Sequence, residues 1–271
     1  MGNGGERERS GGLNHRQILR RESEAALDEL ERDVRAVTLT AFTAGLNLSF
    51  GALLMLMALS MHDFGSDLTR QLALAGLSSI GFIIVLIGQT ELFTAHTTMS
   101  VLPLLGGDTT IRRVAGRWTV MLSANLLGTA GFAMLVAALG PRLGIVSQEA
   151  IASLAGSLTG FPWPVVFGSA VLAGWLMGLA TWLSKAARDT AGQLLAIVLV
   201  TGAIGVGPFH HVVFASTELL TALFAGAGTS WSQYLHVIIW AAMGNAVGGA
   251  VFVALLNYGQ TIGQEALDPS G

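Results

Sequence analysis

Two apolar stretches of this 271-residue chain are too long to be straight membrane helices. Residues 72–105 and 191–225 would each extend about 50 Å at 1.5 Å per residue, whereas the hydrocarbon core of a bilayer is about 30 Å thick. Each must break or fold back inside the membrane. The interior of the first carries the polar run Gly88-Gln89-Thr90-Glu91-Leu92-Phe93-Thr94-Ala95-His96-Thr97. The second carries Gly205-Val206-Gly207-Pro208-Phe209-His210-His211, where Pro208 removes a backbone donor and the glycines permit a sharp turn. Lipid cannot satisfy the N–H and C=O groups that a break releases, so both breaks must be buried in protein or line a water-filled lumen.

Four more apolar segments, 37–61, 114–139, 165–184 and 234–257, have ordinary spanning length, giving six spans. A chain that is 52% hydrophobic and 11% charged, with mean hydropathy +0.62, is a membrane bundle and not a soluble domain. The 35 glycines suit helices packed backbone to backbone. The interrupted spans are the second and the fifth, the middle spans of two groups of three. An odd number of spans per half sets the halves in opposite orientations, so the expected fold is all-α, six transmembrane helices as an inverted 3+3 repeat with its site at the centre.

Lys and Arg set the orientation. Seven precede the first span, three (Arg112, Arg113, Arg117) follow the second and two (Lys185, Arg188) follow the fourth. Only Arg70 and Arg142 lie on the other side, so both termini are expected in the cytoplasm. The polar first 35 residues lack the apolar core of a signal peptide, so the first span is expected to be retained. They read as a tail disordered over 1–12, then a helix capped at Asn14 and Gln17 with Leu19, Ala26, Leu30 and Val34 near one face. That helix is either solvated or packed over a cytoplasmic pore mouth. A transmembrane domain over 36–258 and a cytoplasmic tail over 259–271 complete the chain. The absence of cysteine excludes disulfides and thiolate sites, and a net charge of −3 without a basic run excludes nucleic acid.

His210 and His211 are the foremost candidates for chemistry, because imidazole titrates near neutral pH and can exchange a proton with a passing anion. Thr94 or Thr97 on the other break is the expected partner. Glu91 and Glu218 are carboxylates within spans, each read first as a structural tie. His96 follows the first break, while His62 and His236 lie near helix ends and read as interfacial. Half-helices restarting near Thr97 and Val212 would point N–H groups at the centre and attract anions without a fixed Lys or Arg. Leu92, Phe93, Phe209 and Phe214 read either as apolar constrictions or as core. In the last span, Gly244, Gly248 and Gly249 read as close-packing positions, and Asn245 as a hydrogen bond to a neighbouring segment or a substrate contact. A metal site built on His210, His211 and Glu91 is disfavoured, since adjacent helical residues point about 100° apart. No cofactor and no catalytic residue is expected.

The Glu91-Leu92-Phe93-Thr94 run resembles a signature of the formate/nitrite transporter family. Ala187 to Gly192 resembles the approach to that family's fifth helix, Gly207 to His211 its Gly-Phe-Glu-His loop, and Gly244-Asn245 a pattern of its sixth helix, all in order over about 36–258. The resemblance implies an aquaporin-like fold, a homopentamer with one pore per subunit, a place in the bacterial inner membrane, and a central histidine that exchanges protons with the permeating anion. It implies that His210 is that histidine, faced by Thr94, with Leu92 at the cytoplasmic constriction and His211 an addition. Four positions depart from the family pattern: Phe209 in place of the Glu before the histidine, Gly174 in place of the Asn before Trp175, Gln193 in place of a Lys, and Phe214 in place of an Asn. The expected function is passage of a small monovalent weak-acid anion; the alternative is a neutral-solute or water channel on the same scaffold.

Overall fold

A computed structural model describes residues 15–61, 63–207 and 209–255. The expected disordered start, the Asn14 cap, His62, Pro208 and the C-terminal tail lie outside the described residues. All the described regular structure is helical: α1 (His15–Glu31), α2 (Val34–Met61), α3 (Asp67–Ile87), α4 (Phe93–Met99), α5 (Val101–Gly106), α6 (Ile111–Leu139), α7 (Gln148–Gly156), α8 (Trp163–Ala186), α9 (Thr190–Val206), α10 (Val212–Phe224), α11 (Trp231–Val247) and a π-helical continuation, Gly248–Leu255. Five of these units are long and apolar enough to cross a membrane: α2, α3, α6, α8 and α11 with its continuation.

Side-chain caps fix the helix starts. Ser66, Thr110, Ser147, Asp189 and Ser230 each accept a hydrogen bond from the backbone N–H three residues on, satisfying a group the first turn leaves free. Gln148–Gly156 lies between the third and fourth expected spans. It forms two turns because Ser147 caps it and Ile151 and Leu154 bury against the bundle.

Small residues decide which helices pair. A side-chain carbon on Gly45 would strike the Asn125 carbonyl, and one on Gly128 the Phe42 carbonyl, so α2 and α6 approach as only glycine permits. On the other side of the bundle, Gly174 meets the backbone of Asn245, and Gly248 that of Val171, which draws α8 and α11 together in the same way. Between these pairs α3 lies against α9, with Gly205 over Ala75. The short helices α4 and α10 fill the middle, α10 along α6 and α4 along α8 and the π segment.

Of the two readings of the N-terminal helix, packing is observed. Leu30 and Ala26 of α1 are buried. Arg113 and Arg117 of α6 both donate to the Leu30 carbonyl, at 3.0 and 2.9 Å, and Arg117 also donates to the Arg32 carbonyl at 2.9 Å. These bonds satisfy carbonyls at the helix end and neutralise its negative pole. Val34 departs from the expected apolar face; it starts α2 and is exposed.

Candidate functional site

The chain leaves the helical conformation between α3 and α4 and between α9 and α10. At the first break Gly88 ends α3, and Gln89 takes a left-handed conformation (φ 52°) that turns the chain. The next half-helix starts at Phe93, not at the expected Thr97, whose hydroxyl instead donates to the Thr94 carbonyl at 3.0 Å.

One asparagine holds each break. Asn125 of α6 accepts from Phe93 N–H at 2.9 Å and donates to the carbonyls of Ala41 and Glu91 at 2.7 and 2.9 Å. Asn245 of α11 accepts from Val212 N–H at 2.8 Å and donates to the carbonyls of Ala170 and His210 at 2.8 and 2.9 Å. The same three-bond clamp therefore occurs twice, each time tying the first residue of a half-helix, the break before it and a neighbouring long helix. The backbone groups freed by the break are satisfied inside the protein, as the membrane interior requires. Both polar groups of Asn245 are spent on backbone, so its place is in the scaffold. Free N–H groups were expected near Thr97 and Val212; the N–H groups that open the two half-helices, of Phe93 and Val212, are instead held by the side-chain oxygens of Asn125 and Asn245.

At the centre the two breaks meet. His211, 2% exposed, lies with Nε2 2.7 Å from Thr94 Oγ1. It is also the N-cap of α10, its Nδ1 accepting from Phe214 N–H at 3.2 Å. That bond assigns the tautomer: Nδ1 is an acceptor, so in the neutral ring the proton sits on Nε2, which donates to Thr94. Phe82 of α3 meets the imidazole edge-on at 5.0 Å and stacks on Phe214 at 5.6 Å.

His210 turns the other way. Its Nε2–H donates to the Leu158 carbonyl at 3.0 Å, its Nδ1 accepts from the Ser169 hydroxyl at 2.5 Å, and Phe161 stands edge-on at 5.8 Å. Both ring nitrogens are used within the protein. The expectation that His210 faces Thr94 is therefore corrected: the facing ring is His211, because His211 ends the break in an extended conformation while His210 is directed towards α8.

Cavities approach this pair from both sides. A distal cavity of about 420 Å³ is lined by Arg70, Phe82, Phe209, His211, Phe214 and Glu218 among others. A proximal cavity of about 320 Å³, covered by Glu29 of α1 and by Arg32 just after it, is lined by Val85, Glu91, His96 and Lys185 among others. Phe82 lines one and Val85 the other, so about one turn of α3 separates them. Leu92 and Thr94 are fully buried and line neither cavity. Phe93 is core, edge-on to Trp118 at 6.2 Å.

Glu91 is held by side chains. It pairs with Arg32, which follows α1, and, at 2.5 Å, with His96 Nε2, whose Nδ1 lies 2.9 Å from the Leu92 carbonyl. Glu29 faces Arg117 Nε at 3.7 Å. Burial pushes the Glu29 carboxyl up from its ordinary range. The docked helix thus favours its protonated form, a contribution present at low pH and lost as pH rises through the raised value.

A sequence profile described as Formate/nitrite transporter matches residues 16–259. The chain belongs to the formate/nitrite transporter family. The inner membrane protein YfdC of Escherichia coli (strain K12) is 30% identical over 239 residues, 86% of this chain and 74% of that protein. Among solved structures, an FNT family ion channel superposes with a TM-score of 0.83 at 22% identity, covering 90% of this chain and 98% of its own. A pentameric formate channel with formate bound gives 0.69 at 20% identity, covering 84% and 98%. These two likenesses concern the fold, and YfdC together with the apolar helices identifies a multi-pass inner-membrane protein. Sequence reasoning missed Phe82, Asn125 and Ser169. Only Asn125 leaves a signal, a lone amide in an apolar helix 34 residues after the break it holds, against 35 for Asn245.

Proposed function

We propose that this family member passes a small monovalent weak acid such as formate or nitrite across the inner membrane, with His211 assisting its protonation at the midpoint. The observation that carries the reading is the buried His211–Thr94 pair between two cavities. A neutral carboxylic acid has one O–H donor and one carbonyl acceptor. The pair offers the complement, Nε2–H as donor and Thr94 Oγ1 as acceptor. An anion brings acceptors alone, and it would shed its hydration shell beside Phe82, Leu92 and Phe214 without a full set of partners. The pair thus favours the acid form where water is squeezed out; the anion takes up a proton on approach and releases it on leaving. Neither break carries a Lys or Arg that would hold the anion too long.

The duplicated asparagine clamp supports six membrane units arranged as an inverted 3+3 repeat. Arg32, Arg113, Arg117 and Lys185 gather on the α1 side, which supports a cytoplasmic proximal cavity and cytoplasmic termini. The fold shared with the pentameric channel, and exposed apolar side chains such as Leu39, Leu127 and Leu199, support a homopentamer in lipid. Uptake of labelled formate into proteoliposomes is expected to rise as external pH falls from about 8 to about 5, because protonation precedes passage. Correctly assembled protein that takes up no formate at any pH would remove formate and leave other small acids to be screened.

A further inference from the structure

The distal cavity contains a carboxyl group that the His211–Thr94 pair does not use. His211, Phe214, Ala215 and Glu218 follow the i, i+3, i+4, i+7 pattern of one helix face, and all four line this cavity. At 1.5 Å per residue Glu218 stands about 10 Å beyond His211 along α10.

Glu218 is 7% exposed, and among the described residues its carboxyl makes no hydrogen bond and no ion pair. The other polar side chains of α10 are all engaged. Ser216 bonds the hydroxyls of Thr129 and Tyr234, Thr217 that of Ser49, and Thr221 the carbonyl of Thr217. A carboxyl at membrane depth is costly without a partner, and the structure around it would be better served by a leucine unless the group has work in the cavity. Glu91 in the proximal cavity is the contrast, since Arg32 and His96 occupy it. The charged or titratable groups facing Glu218 across the cavity are Asp67 and Arg70 of α3, with His211 on its own helix. Arg70 donates to Ser153 at 3.0 Å and makes no ion pair with Glu218. The walls from α2, α7 with its C-cap, and α9 contribute Met55, Ser153, Ser157 and Ile204, none of which titrates. The α6 and α11 groups that touch α10 there, Thr129 and Tyr234, are bonded to Ser216.

We propose that Glu218 is the proton donor of the distal cavity, handing its carboxyl proton to a weak-acid anion there before the acid reaches His211. The acid leaves Glu218 as carboxylate, which regains its proton from hydronium in the water of the cavity mouth; outward passage runs the same exchange backwards. The proposal rests on the weak-acid reading above.

The test compares the full-length wild type with Glu218→Gln and Glu218→Asp in proteoliposomes, using labelled formate. At about pH 7.5 the Gln variant is expected to lose about tenfold in uptake, less than the roughly hundredfold for a positioned acid in a dry site because cavity water can substitute. The deficit shrinks towards about pH 5, where hydronium is abundant, and the Asp variant keeps most of the flux. Infrared spectra of the wild type are expected to contain a protonated-carboxyl band that the Gln variant lacks. Uptake by the assembled Gln variant equal to or above wild type at about pH 7.5 overturns the donor role, as does an unchanged carboxyl band. A wild type with no formate uptake at any pH overturns the weak-acid reading itself, and the two failures are told apart by whether the wild type transports.

Discussion

His211→Asn is expected to leave the protein folded and to lower formate uptake about tenfold at acidic pH, with the rise of uptake towards low pH flattened. Asn is among the best N-cap residues, so its side-chain oxygen can still accept from Phe214 N–H and α10 keeps its start. It is too short to place a donor where Nε2 stands against Thr94. One hydrogen bond to the passing acid is then lost, and about 1.4 kcal/mol corresponds to the expected tenfold. His210→Ala should behave in the opposite way. It strips partners from Ser169 and from the buried Leu158 carbonyl, at about 1–3 kcal/mol of stability, while flux per folded protein holds. Flux in detergent-stable preparations, normalised to assembled protein, separates the two histidines. A pattern in which His210→Ala stops transport and His211→Asn does not would return the central role to His210.

The largest stability effects are expected at Asn125 and Asn245. Leu at either position has similar volume but removes three buried hydrogen bonds to backbone. At the average of about 0.6 kcal/mol measured for polar contacts between membrane helices the loss is about 2 kcal/mol. The orphaned N–H and C=O groups sit at membrane depth, where water cannot replace the amide, which raises the loss to about 5 kcal/mol. Asp is not expected to rescue either site, because it keeps one acceptor and loses both donors. A fall of about 5 °C or more in the melting midpoint of solubilised protein, for Leu and Asp alike, is the expected reading. Variants with unchanged midpoints would mean that the breaks hold themselves in place.

Much of this architecture is legible in the chain because it follows from length. A stretch such as 72–105 cannot cross straight, and Gly88, Gly207 and the polar residues beside them mark where it must break. The histidine pair is legible for the same reason, since polar rings at membrane depth require partners. Which ring faces Thr94 is not legible: adjacent residues at the end of an extended break diverge according to backbone angles that no spacing records, and the second of the two became the cap. Thr97 was misplaced as a helix start because polar residues are scattered from Gln89 to Thr97 and none of them marks the restart, which is set by Asn125, 32 residues from the Phe93 N–H it accepts. Phe82 and Ser169 carry no signal in an apolar helix; they matter through what the tertiary structure sets beside them.

Whether the permeant passes His211 as the neutral acid can be decided by counting protons. Proteoliposomes with a trapped pH dye and an imposed potassium diffusion potential would be given formate, and lumenal pH followed alongside label. The lumen is expected to acidify in step with formate uptake, at a rate that ignores the potential. Uptake that follows the potential without acidifying the lumen would mean that the bare anion crosses, and would contradict passage as the neutral acid.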